Sequence, residues 1–386
     1  MLKTAESLRA GHPDKLADLI ADSILDEALA GDPAAKVAVE VLATKARVLV
    51  AGEITSNHKK RIPATVRLAL AERGYDPRAF CIRTRIQRQS GDIADGVDHS
   101  LEARHGKADD SAVLGAGDQG TVYGYATSET AERLSLPLVY AHRICRGLDQ
   151  AWRDGAINGL GVDGKAQVTI NYQDGKPARV ACVVVSAQHE PGISIIGFTD
   201  AIQKQIINPA CRESSIDGGT VVLVNPSGRF VEGGPEADTG PTGRKLMVDT
   251  YGGLAPRGGG AFSGKDPSKV NRTGAYMARL ITKTIVDAGL AEEAQIAISY
   301  AIGKAEPVAF EVDTLGTGQY SDEQLTKACA GVFPLRPAAM IDALHLGAGA
   351  QFSAYSAYGY FGNTQSAWEN TTAWINKLRD ALAVGR

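Results

Sequence analysis

The sequence predicts layered α/β or α+β domains. Two observations carry this expectation. Apolar runs of strand length alternate in short batches with segments of helical period along the whole chain. The 386 residues suffice for two or three domains with sizeable cores. Neither a fixed-period repeat nor a low-complexity linker separates the batches, so the domains are expected to pack closely.

Bulk properties narrow the function classes. A net charge of −3 at pH 7 gives no general nucleic-acid or membrane surface. Cys81, Cys145, Cys182, Cys211 and Cys329 are odd in number and scattered, without a C-x-x-C pair. Neither a disulfide framework nor a zinc knuckle is supported, and a reduced, cytoplasmic protein is the simplest expectation. The N-terminal residues lack the apolar core of a signal peptide. The strongly apolar runs, such as 180–185, are too short to span a bilayer.

Taken in order, Gly11-His12-Pro13-Asp14-Lys15 announces the first helix, with Pro13 at its opening. Leu16, Ile20, Ile24 and Ala28 recur every four residues and carry it to Gly31. Capping accounts for Asp14 there, but not for His12. Residues 37–42 read as a strand whose valines share one face, with Glu40 on the other beside Ala38 and Leu42. A carboxylate in such a strand lies at an edge or has a partner, and for Glu40 a buried partner such as a cation is expected. Residues 48–54 form the next strand, with Glu53 near its end. A helix over 61–73 and a strand over 79–86 follow. Residues 87–118 are polar, glycine-rich and aperiodic, the pattern of a mobile lid or disordered loop.

Further on, 130–152 is helical with a break or kink at Pro137. Strands over 165–172 and 177–186 flank Asp174-Gly175, a hairpin turn. A helix over 196–207 precedes a strand over 220–224, which Asn225-Pro226-Ser227-Gly228 turns into Arg229-Phe230-Val231. The glycine-rich polar stretch 233–245 contains Asp238 and ends in Thr242-Gly243-Arg244-Lys245. Beyond it lie a helix over 270–286, strands over 295–302 and 307–312, and helices over 321–330, 336–345 and 368–382.

The stretch Gly258-Gly259-Gly260-Ala261-Phe262-Ser263-Gly264-Lys265-Asp266-Pro267-Ser268-Lys269 concentrates the chemistry. Glycines let backbone N–H groups approach an anion, Lys265 and Lys269 add charge, and Asp266-Pro267 reads as a helix start. Together these parts suit a polyphosphate cradle. Gly259, Gly264 and Lys265 fit P-loop spacing, but Asp266 stands where Ser or Thr should hold magnesium. A glycine-rich surface turn before an ordinary helix is the alternative.

Taken jointly, Gly11-His12-Pro13-Asp14-Lys15, the glycine-rich 115–120, Gly240-Pro241-Thr242-Gly243-Arg244-Lys245 and the 258–269 stretch closely resemble the S-adenosylmethionine synthetase family. Supporting runs include Tyr123-Gly124-Tyr125-Ala126-Thr127, Val248-Asp249-Thr250-Tyr251-Gly252-Gly253 and Ser299-Tyr300-Ala301-Ile302-Gly303, in the family's order over nearly the whole chain. The resemblance implies an α+β fold of three similar α/β-layered domains in a pseudo-threefold arrangement. Domains over 1–98, 112–230 and 232–369 are expected, structurally discontinuous, with 89–112 as the lid. It further implies a dimer or tetramer with interfacial active sites, two Mg2+ per site and K+.

The implied activity joins ATP to L-methionine by attack of sulfur on the ribose 5′ carbon, followed by hydrolysis of the released triphosphate to pyrophosphate and phosphate. A thioether has no proton to remove, so the site needs positioned cations rather than a general base. By motif, His12, Lys165, Arg244 and Lys265 are the implied catalytic residues. The ATP-binding set adds Asp163, Gly164, Arg229, Phe230, Asp238, Lys245 and Ala261. Glu53, Gln89, Asp118, Asp238, Lys269 and Ile302 fall at methionine-binding positions. Asp14 is the implied magnesium ligand, Glu40 the potassium ligand, and Asn271 stands at the second magnesium position.

There are departures. The family usually has a carboxylate at Asn271, which offers only a neutral carbonyl oxygen to a cation. Ser7-Leu8-Arg9-Ala10-Gly11 replaces the usual Ser-Val-Ser-Glu-Gly, losing an acid and gaining a base beside the expected nucleotide site. Lys304 replaces a small apolar residue, and 99–112 is longer than the common bacterial lid. Two other functions compete: a P-loop-like ATP-dependent phosphoryl transferase, which would make ADP, and a divergent non-catalytic or altered-substrate paralogue acting as a partner subunit.

Overall fold

A computed structural model describes residues 1–58, 61–106, 109–211 and 216–384. The chain opens with strand β1 (Leu2–Leu8), helix α1 (Pro13–Gly31), β2 (Lys36–Thr44), β3 (Arg47–Thr55), α2 (Ile62–Glu72) and β4 (Cys81–Gln87). Two short helices, α3 (Gly91–Asp98) and α4 (Leu101–Arg104), lead to β5 (Gly120–Thr127) and α5 (Leu136–Asp154). The long hairpin of β6 (Leu160–Gln173) and β7 (Lys176–His189) precedes α6 (Ile195–Ile202), α7 (Asn208–Ala210) and β8 (Val221–Val224). β9 (Gly240–Pro241), α8 (Leu246–Asp249), α9 (Val270–Asp287), β10 (Glu293–Tyr300) and β11 (Ala309–Asp313) follow, and α10 (Asp322–Val332), α11 (Pro337–Ala343) and α12 (Thr372–Val384) close the chain.

These strands form sheets ordered β1-β6-β7-β8, β11-β10-β5 and β4-β3-β2-β9. A long helix packs on each: α5 against β1 and β6, α9 against β5 and β10, and α1 against β2. Three similar layered units result. The first is discontinuous, because β1 pairs antiparallel with β6 from Leu2–Asn171 to Leu8–Lys165. That register brings the start of the His12 loop beside Lys165. Among the described residues, one apolar core joins the α1 and α9 units and a second fills the α5 unit.

Several expectations need correction. β1 and β5 are not among the expected strands; Lys3 and Glu6 mask the first, and glycine at 120 and 124 weakens the second. Pro137 does not kink a helix: it lies in the first turn of α5, where its missing N–H costs nothing. Asp266 caps no helix. Its carboxylate accepts from Val37 N (2.7 Å) and Ser268 N (2.9 Å), tying the glycine-rich stretch to β2, and α9 begins only at Val270. Much of 87–118 is ordered as α3, α4 and a 3-10 turn over Asp110–Ala112, although residues 107 and 108 of the expected lid lie outside the described residues. Arg229-Phe230-Val231 joins no sheet; Phe230 N donates to His189 Nε2 instead. Residues 203–207, expected as helix, run as a π-helical turn.

Candidate active site

Two groups of expected site residues emerge. The first gathers at the N-terminus of α1. His12 is its N-cap, with Nδ1 accepting from Asp14 N at 3.2 Å. That bond leaves the proton of a neutral ring on Nε2. Burial, then the positive charges of Lys245, Lys165, Lys15 and Arg244, lower the His12 pKa to about 3. The imidazole therefore stays neutral at physiological pH, ringed by cations.

Lys245 donates to Asp14 Oδ2. The other oxygen, Oδ1, is buried without a hydrogen-bond partner. Burial raises the Asp14 pKa, and Lys245 opposes this. A buried carboxylate oxygen without a hydrogen-bond partner suits a cation ligand. Asp163 braces this end: its carboxylate accepts from Gly164 N (2.7 Å) and Gly234 N (2.8 Å). Arg244, Lys165 and Asp238 are exposed. Ala261 lies against Gly243, where an added Cβ would sit 2.4 Å from the alanine Cβ.

The second group gathers along β2, β3 and the start of α9. Ala38 and Lys265 form a β-bridge, so the lysine rides on the strand that carries Glu40. Burial lowers the Lys265 pKa, while Glu40 and Asp118 counteract it. Asn271 Nδ2 donates to Asp118 Oδ2 at 2.6 Å. Lys269 Nζ lies 3.5 Å from Asp266. Glu53 accepts from Gln87 Nε2 (3.2 Å), and two residues further on in each segment Gln89 N donates to Thr55 Oγ1 (3.1 Å). Ile302 is exposed.

Glu40 is a correction. It is exposed on the same sheet face as Leu42 and Leu49 rather than buried against a cation, because that face has no layer over it within one chain. Among the described residues, no group of three or more His, Cys, Asp or Glu is arranged to hold a metal. Glu40 is still held partly out of water: burial raises its pKa and Lys265 opposes this. In the P-loop comparison the second glycine is taken up by the fold: Gly264 N donates to Asp22 Oδ1 (2.8 Å), and an added Cβ there would meet Val39 O at 2.2 Å. Gly258 and Gly260 are required by the protein itself, since a Cβ would meet Thr121 O at 2.8 Å and the Asn271 side chain at 2.5 Å. Of the three successive glycines, only Gly259 faces open space.

A buried network joins the two groups, and it was not expected. Asp14, Asp18, Asp22 and Asp26 recur every four residues along α1 and so share one face. Asp18 accepts from Lys15 Nζ (2.9 Å), Gly243 N (2.9 Å) and Ser263 Oγ (2.9 Å). Asp22 takes Arg272 in a two-pronged pair at 2.8 and 2.6 Å and also accepts from Gly264 N (2.8 Å). Lys15 reaches Asp249 Oδ1 at 2.6 Å as well. Burial alone would push the Lys15 pKa down, but Asp18 and Asp249 hold it above the usual lysine value. The four-residue carboxylate spacing was the available signal.

Three family models cover most of the chain. They are the S-adenosylmethionine synthetase N-terminal domain over residues 1–91, its central domain over 113–230 and its C-terminal domain over 232–370. The chain belongs to the S-adenosylmethionine synthetase family. An S-adenosylmethionine synthase from Desulforudis audaxviator (strain MP104C) is 46% identical over 393 aligned positions, covering 100% of this chain and 98% of that protein. As a synthetase of this family, the protein is a methionine adenosyltransferase that forms S-adenosylmethionine from ATP and methionine. The family is metal-dependent. Neither the phosphoryl-transferase nor the partner-subunit alternative is favoured. No helix among the described residues is long and apolar enough to cross a membrane.

The synthetase's Arg9 adds no free base to the nucleotide pocket, contrary to expectation. It is fully buried and paired with Asp149 at 2.7 Å.

Proposed function

We propose that each active site is shared between two copies of the chain, with the His12 group of one facing the Lys265 group of the other. The observation that carries this is the division of the cations. Lys165, Arg244 and Lys245 act on His12, whereas Lys265 acts with Glu40, Asp118 and Lys269. The exposed β2–β3 face beside the second group, with Leu42 and Leu49 uncovered, supports pairing through that face. A dimer, or a pair of dimers, follows from closed symmetry.

In this assignment the polyphosphate lies among Lys165, Arg244, Lys245 and the partner copy's equivalent of Lys265. His12 Nε2–H donates to the oxygen between ribose and triphosphate. Because the ring is neutral, it offers a hydrogen bond without a competing proton transfer. Negative charge gathers on the leaving chain as the neutral sulfur attacks the 5′ carbon, and the fixed cations stabilise it. Asp163 and Gly164 hold the ATP-side strand, and Arg229, Phe230, Asp238 and Ala261 contact the nucleotide. Asp118 or Glu53 pairs with the methionine ammonium, Lys269 with its carboxylate, and Gln89 and Ile302 complete that pocket.

Asp14 would hold Mg2+ through its free Oδ1; bound there, the ion would neutralise charge on the phosphates. Asn271 would contribute at most its carbonyl to a second Mg2+. All five cysteines are free thiols, which supports a cytoplasmic setting.

The test is product analysis with purified protein, ATP and methionine. S-adenosylmethionine, pyrophosphate and phosphate should appear in equal amounts with no ADP. Accumulated intact triphosphate would refute the second, hydrolytic step, and ADP would refute the assignment of the leaving group.

A further inference from the structure

Arg9 is among the largest fully buried side chains of the molecule, and its charge lies two residues before the Gly11-His12 turn. Its guanidinium makes four hydrogen bonds. Nε donates to Asp149 Oδ1 (2.7 Å), one terminal nitrogen to Gly161 O (2.6 Å) and Asp163 O (3.3 Å), and the other to Leu148 O (3.4 Å). Asp149 is equally committed. Its Oδ2 accepts from Ala10 N (2.8 Å) and from the Tyr358 hydroxyl (2.5 Å). A buried ion pair of this completeness carries a large desolvation cost, which packing alone would not require.

The bonds of residue 9 and of Asp149 join two segments that carry ATP-side residues. Arg9 N donates to Gly164 O (3.0 Å) and Arg9 O accepts from His12 N (3.0 Å), so the His12 turn is laid against the strand bearing Lys165. The carbonyl of Asp163, two residues before Lys165, is held by Arg9. The approach is tight: an added Cβ on Gly11 would sit 2.6 Å from Val162 O, and one on Gly164 would sit 3.0 Å from Arg9 Cδ. None of these bonds reaches the Lys265 group.

We propose that Arg9 and Asp149, steadied by Tyr358, are positioning residues for the ATP half of the reaction. They set the His12 turn and the Lys165 strand in one frame. This rests on the assignment of His12 and Lys165 to that half. The pair does not touch the reacting atoms; it acts through the backbone of residues that do. Its influence should therefore fall on ATP binding and on the chemical step, and not on methionine binding.

The test uses the full chain and steady-state kinetics with each substrate varied in turn. His12→Asn checks the underlying assignment and must abolish product formation. The double variant Arg9→Ser/Asp149→Ala removes both charges together, so neither is left buried alone. Its kcat/KM for ATP is expected to fall on the order of tenfold to a hundredfold, as for misplaced reacting groups. Its KM for methionine should stay within about twofold of the parent, as expected when that half is untouched. Tyr358→Phe removes one hydrogen bond and no charge, and should show the same split in smaller measure even if the double variant does not fold. An unchanged kcat/KM for ATP in the folded double variant overturns the inference. So does an equal loss on both substrates that tracks a lower melting temperature, or a Tyr358→Phe protein with unaltered kinetics. An active His12→Asn protein instead overturns the site assignment, separately from the role of the ion pair.

Discussion

At the scale of single residues, the site works by leaving particular atoms free and tying up others. Asp14 keeps one buried carboxylate oxygen open, whereas Asn271 spends its amide on Asp118. Asn271→Asp would place two carboxylates at hydrogen-bond distance, and like charges so close cannot both ionise without a cation between them. The variant should melt at a lower temperature without divalent metal, recover on adding Mg2+, and need less Mg2+ for half-maximal activity. Thermal melts and activity titrations check this; an identical Mg2+ requirement in both proteins would refute it.

His142 offers a pH prediction away from the metal position. Its Nδ1 lies 2.7 Å from Ser7 Oγ, and burial, then Arg146 and Lys15, hold its pKa well below 6.5. Below pH 6.5 the unfolded chain takes up a proton that the native ring refuses. The stability is thus complete above that pH and is lost as pH falls below it. His142→Gln should flatten that slope by up to about 1.4 kcal/mol per pH unit in urea unfolding. An unchanged slope between pH 6.5 and 5 would show that His142 charges freely in the fold.

At the scale of elements, α1 is the organiser. It buries apolar residues and three aspartates alike, with Asp26 half-buried one turn on, and the four together tie down Lys245, the Ser263-Gly264 stretch and Phe352. Asp22 is the most committed, holding Arg272 of α9, Gly264 N and the Tyr360 hydroxyl. Arg272 in turn donates to Lys265 O at 3.0 Å, so the position of Lys265 depends on this pair. Asp22→Ala leaves a buried guanidinium unpaired and should cost about 3–5 kcal/mol in denaturant unfolding. A loss under about 1 kcal/mol would mean that Arg272 finds water or another acceptor.

At the scale of the whole molecule, a site shared between copies permits complementation. His12→Ala and Lys265→Ala chains, each inactive alone, should regain activity when mixed under subunit exchange. Random pairing leaves one intact site in half of the dimers, on the order of a quarter of parental activity. No recovery, with exchange confirmed by native mass spectrometry, would mean that both groups serve one site within one chain. Removing the apolar contact with Leu42→Lys/Leu49→Lys should in the same assay give folded, inactive monomers.

The sequence by itself determined the reaction class, because glycine turns and neighbouring cations are local patterns that survive as short motifs. It also marked α1, α2, α9 and the β6–β7 hairpin, whose periodicities are set by near neighbours. Only the tertiary structure decided which cation faces which carboxylate. Arg9 read as a free base until Asp149, 140 positions away, was found against it. Glu40 read as buried, yet within one chain its face of the sheet is uncovered. Asp266 read as a helix cap, yet its Oδ2 accepts from Val37 N of β2, far earlier in the chain. Burial and pairing are properties of distant segments brought together, and the local alternation of residue types does not encode which segments meet.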